Sequence, residues 1–105
     1  MTAARGDCFK TAADFVASHS DATLVHATVR GQGPLEGMRY EHAWIEVGDL
    51  AIDLSNGNLI TLPAVLYRKA ADLTHERRYD QQQTCRLLIT EGHYGPWDPD
   101  PEADG

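Results

Sequence analysis

An α+β fold is predicted, with an N-terminal helix packed on a small antiparallel β-sheet. Three observations carry it. The segment GDCFKTAADF shows a helical apolar stripe behind an acidic cap, and HAWIEVGDLAIDL alternates apolar and polar residues around a Gly-Asp turn. A chain of 105 residues, 42% hydrophobic, is enough for one core but not for two. A single domain over residues 1–97 is therefore expected, followed by an acidic tail, residues 98–105, too rich in Asp and Pro to pack.

Asp7 is placed to cap a helix running to about Ser18, because its carboxylate can accept from the free amides of a first turn. Cys8, Ala12, Phe15, Val16 and His19 then share one stripe that faces the core. Thr23 to Val29 is a β-branched run bounded by Asp21 and by GQGP, which predicts a strand. Gly31 to Gly37 holds three glycines and a proline and is expected to be a flexible loop. Tyr40 to Val47 and Leu50 to Leu54 form a hairpin whose two-residue turn pairs Val47 with Leu50, Ile45 with Ile52 and Trp44 with Asp53. One face collects Ala43, Ile45, Val47, Leu50, Ile52 and Leu54 for the core. The other carries His42, Trp44, Glu46, Ala51, Asp53 and Ser55, and in a one-sided sheet it is available for a site.

Beyond the hairpin, Ser55 to Asn58 reads as a turn and Asn58 to Leu62 as a short strand. Pro63 suits the first turn of a helix reaching about Asp72. Thr74 to Tyr79 is a polar edge strand, and Asp80 caps a last helix that Gly92 ends. GHYGPW, with three rings and a proline, reads as an irregular aromatic segment packed across the domain.

Composition narrows function. Sixteen acidic residues against nine basic ones give a net charge of −7, which argues against a phosphate-tracking surface, so no nucleic-acid partner is expected. No apolar run approaches the ~20 residues of a membrane span, and MTAARGDCFK lacks a secretory apolar stretch. A cytoplasmic protein with reduced thiols is expected, with no membrane partner and an open oligomeric state. Two distant cysteines supply neither a disulfide framework nor zinc-finger spacing. His19, His26 and His75 have no partner at ligand spacing, so no metal and no cofactor is expected.

Taken alone, Cys8 reads first as a small core hydrophobe. His42 and Asp53 turn the reading to chemistry. His42 lies diagonal to Asp53 across the hairpin, roughly 7–8 Å between backbone positions, close enough for a side-chain hydrogen bond. A thiol near a helix start, an imidazole and a carboxylate that orients it are the parts of activated-thiol catalysis. Trp44 beside His42 would restrict water. Gln32 in the glycine loop, His93 and Tyr94 are candidate substrate contacts and, with the Cys8 amide, candidate oxyanion donors. Cys85, at helical spacing with Leu88, is assigned to structure.

A helix-start Cys, then HAWIE on a strand, then an Asp on the next strand, in the order Cys, His, Asp, resembles the transglutaminase-like cysteine peptidases of the papain-like superfamily. The likeness runs from Gly6 to Gly57, about half the chain. It implies a papain-like or transglutaminase-like core, with Cys8 as nucleophile, His42 as general base and acid, and Asp53 as the orienting acid. It also implies acyl transfer through a thioester, on a peptide or small acyl substrate. The upstream glutamine that papain-type enzymes place in the oxyanion hole has no counterpart here. The leading expectation is thus a thiol-dependent hydrolase or acyltransferase, peptidase-like in cleaving an amide bond. The alternative is a non-catalytic binding or phage-type accessory protein on the same fold.

Overall fold

The computed structural model describes residues 5–31, 33–54 and 59–103, with side chains from Cys8 onward. Helix α1 (Arg5–Ala17) leads into β1 (Ala22–Arg30), followed by β2 (Arg39–Val47), β3 (Leu50–Asp53) and β4 (Ile60–Pro63). Helix α2 (Ala64–Ala71), strand β5 (Thr74–Tyr79) and helix α3 (Gln81–Glu91) complete the described elements. The strands form one antiparallel five-stranded sheet in the order β4-β3-β2-β1-β5. The α+β class, the leading helix and β5 as an edge strand thus stand as expected.

The hairpin register follows the polarity pattern. Val47 pairs with Leu50 and Ile45 with Ile52, and the paired residues of β2 end at Ile45, one step short of Trp44 and Asp53. A slip of one residue would have turned Ile45 and Ile52 out of the core, which is why parity is so strongly specified. The first half of β2, including His42, consequently has no β3 partner among the described residues.

Both faces of the sheet are covered, which corrects the expectation of a one-sided sheet. On one face Cys8, Phe9, Ala12, Ala13 and Val16 of α1 pack with Leu24, Ala43 and Ile45. On the other, Val25, Ala27, Trp44 and Ala51 pack against Ala64, Tyr67 and Ala71 of α2. The apolar positions 64, 67 and 71 recur at helical spacing, so α2 presents one stripe to a face that already carried Trp44. Burying that indole requires a partner for its N–H. Glu46 accepts it at 3.1 Å.

The ends of α1 differ from the expectation. Its backbone is already helical at Arg5, so Asp7 lies within the first turn and does not cap it. The helix stops at Ala17, leaving His19 exposed beyond it, its Nδ1 2.7 Å from the Phe15 carbonyl oxygen. The glycine loop is also more ordered than an open lid. The Gly31 amide donates to the Met38 carbonyl and the Met38 amide to Leu35. A Cβ on Gly31 would fall 2.2 Å from the Leu35 carbonyl oxygen, so only glycine admits this approach.

The acidic segment after Trp97, expected to be unpacked, is held along β1 and β2. Thr28 donates to the Asp100 carboxylate at 2.6 Å, and the Asp100 amide donates to Glu41 at 2.6 Å. Glu41 in turn pairs with Arg77 of β5 at 2.6 Å. Composition predicted disorder because it counts acidic residues without seeing which of them finds a donor. Residues 104–105 lie outside the described residues.

Candidate active site

Three elements bring the predicted residues together. His42 sits on the part of β2 that β3 leaves uncovered, and Asp53 is the last residue of β3. Their side chains meet as predicted across the diagonal, with His42 Nε2 2.8 Å from Asp53 Oδ2. Cys8 belongs to the α1 face of the sheet, yet its side chain hydrogen-bonds the His42 ring. Because Nε2 is committed to Asp53, Nδ1 is the ring nitrogen left for the sulfur.

All three side chains are buried; Cys8 is 3% exposed. Burial alone would push the His42 ring toward neutrality. Hydrogen bonds to Asp53 and with Cys8, together with their charges, outweigh it and raise the ring from 6.5 to about 10. The imidazole is therefore protonated at neutral pH, between an acidic partner on each side. Its folded-state value lies above its unfolded one, so the stability it contributes is full below about pH 6.5 and lost as pH rises through about 10. Thermal unfolding followed from pH 6 to 10 should show a falling midpoint, and His42→Gln should flatten that decline.

Tyr67 on α2 completes the constellation, and the sequence reading missed it. Its hydroxyl donates to Asp53 Oδ2 at 2.6 Å. Burial first, and then the Asp53 charge, push the phenol far above its usual range, so it remains a donor. A signal was available: Tyr67 is the one residue with a polar tip on the 64, 67, 71 stripe, and a buried tyrosine needs a partner. Arg68 anchors the same helix. It pairs with Glu46 and Glu76, and Arg78 pairs with the same two carboxylates. Burial opposes ionisation of Glu76, but the two guanidinium groups prevail and hold its carboxyl below the usual range.

Trp44 is beside His42, as expected, with ring centroids 6.1 Å apart. It is 0% exposed, so it backs the imidazole and does not form a wall that a substrate would touch. Gln32 lies outside the described residues. His93 accepts the Gly95 amide on Nδ1, which closes its own turn. The Tyr94 ring lies under the Lys10 ammonium at 5.3 Å, which keeps it near the first turns of α1. Neither contact joins them to the three reactive residues.

GHYGPW behaves as the packed aromatic segment that its composition predicted. Trp97 and Tyr79 surround the buried His26 together with Phe9. Burial and the nearby Arg77 charge lower His26 to about 3, so that ring stays neutral. A Cβ on Gly95 would lie 2.8 Å from it. Among the described residues no cluster of His, Cys, Asp and Glu is arranged to hold a metal. No helix there is long and apolar enough to cross a membrane.

No family model, curated protein or solved structure matches this chain. The site is therefore read on its own geometry.

Proposed function

We propose that the protein is a thiol-dependent hydrolase or acyltransferase, peptidase-like in cleaving an amide bond through a Cys8 thioester. The observation that supports this most is the buried run of hydrogen bonds from Cys8 through His42 to Asp53, buttressed by Tyr67. A protonated imidazole beside the sulfur favours its negative charge, and the thiolate is the attacking form. Attack forms a carbon–sulfur bond. His42 then gives its proton to the departing amine as the carbon–nitrogen bond breaks. The neutral His42 then takes a proton from water, the resulting hydroxide adds to the thioester carbonyl, and the carbon–sulfur bond breaks to release the acid and restore the thiolate and imidazolium. Asp53 keeps the ring oriented throughout and stabilises its charged form before and after the acyl-enzyme stage, in which the ring is neutral. The order Cys, His, Asp along helix, strand and next strand supports kinship with the transglutaminase-like cysteine peptidases. The small domain favours water over a second substrate as acceptor.

A non-catalytic binding protein is the second reading, favoured by the small exposure of Cys8. Iodoacetamide separates the two. Under the catalytic reading, peptide mapping should find Cys8 labelled faster than the half-buried Cys85. His42→Ala should slow that labelling at pH 6 by about tenfold or more. A Cys8 that resists the reagent in the folded wild type would leave the binding reading standing.

A further inference from the structure

We infer that β4 is a self-association edge, through which two copies of this chain join into one continuous antiparallel sheet. The inference is independent of the Cys8 chemistry. Strand β4 is terminal in the sheet, and among the described residues no strand pairs with its outer edge. Around it lies an exposed apolar patch: Leu50, Leu59, Ile60, Leu62, Val65 and Leu66, with Leu59 68% and Val65 77% exposed. These residues offer on the order of 600 Å² per copy, at the upper limit of patches found on monomers and near the ~800 Å² per partner of a stable interface.

The chemistry of the edge selects a second copy. Residues 59–66, LITLPAVL, contain no charge, in a chain whose net charge of −7 would otherwise keep copies apart. Edge strands that must stay single commonly carry lysine, a bulge or proline, or are kept short; β4 has neither lysine nor bulge, and its one proline, Pro63, stands at the last of its four positions and leaves Thr61 free to pair. Antiparallel pairing of a strand with itself is self-complementary about a twofold axis. Centred on Thr61, that pairing sets Ile60 opposite the partner's Leu62 and Thr61 opposite the partner's Thr61. Apolar side chains meet on the α2 side of the sheet, and no like charges oppose one another. The joint would also brace the proposed site, because Ile60 pairs directly with Asp53.

The test is sedimentation of the full chain over about 1 to 200 μM, a range that brackets micromolar association. A mass moving toward twice 11.6 kDa is expected. Thr61→Lys opposes two ammonium groups across the axis and should raise the dimer dissociation constant at least about tenfold, with unchanged circular dichroism. Should Thr61→Lys fail to fold, hydrogen exchange of the wild-type Thr61 amide decides, because alternation turns it to the outer edge while the amides of 60 and 62 face β3. Protection that grows with protein concentration supports the edge, and protection independent of concentration overturns it. A wild type that stays monomeric throughout overturns it too, whether or not an added strand peptide binds that edge. So does a dimer that a folded Thr61→Lys leaves intact.

Discussion

Replacing Cys8 with alanine should abolish thioester formation while leaving the fold in place. With an activated ester as a general acyl donor, the wild type should gain one acyl mass on Cys8 and release product in a burst. Cys8→Ala should show neither, a loss of at least about 10³-fold in turnover. The stability cost should be modest, about 1 kcal/mol, since a small buried side chain is exchanged for a slightly smaller one. Cys8→Ser guards the interpretation. It keeps the volume and a hydroxyl beside His42, yet an alcohol is a far weaker nucleophile, so it too should lose the burst. A burst that survives in Cys8→Ala, with acyl mass on Cys85 or a lysine, would remove Cys8 from the chemistry.

Asp53→Asn should produce the next largest effect. The amide oxygen can still accept from Tyr67 and His42, so folding should change little. The negative charge that keeps the imidazole protonated is gone, and the amide can also present its NH₂ and favour the wrong tautomer. A rate loss of about 10² to 10⁴ is expected, with slower labelling of Cys8 by iodoacetamide. Tyr67→Phe removes one donor from the same carboxylate and leaves the charge, so its loss should stay within about tenfold. If Tyr67→Phe is as damaging as Asp53→Asn, the hydroxyl does more than hold the carboxylate.

The parts of this site that the sequence made legible are those set by local periodicity. Strand alternation places His42 and Asp53 on one face, and a two-residue turn sets their offset. Their 2.8 Å contact follows from those rules alone. Cys8 was harder. Its stripe assigns it to the core, which is where it packs, and nothing local shows that its side chain also meets the His42 ring. Tyr67 was not legible through pairing at all, because α2 reaches Asp53 only once the sheet has folded and been covered on its second face. Asp100 failed for the opposite reason. Its neighbours say disorder, and its partners Thr28 and Glu41 are distant in sequence.

The division of the site along the chain bears on how the protein is made. Cys8, His42 and Asp53 all precede the helix that buttresses Asp53 and the arginines that anchor that helix. A ribosome emits the chain from its N-terminus. Each nascent molecule therefore passes through a stage in which the thiol and imidazole are out but Tyr67 and Arg68 are still in the exit tunnel. On the proposed chemistry, Cys8 would gain its buttressed imidazole only after Tyr67 and Arg68 have emerged and packed, so a product interrupted before them would carry Cys8, His42 and Asp53 without that support.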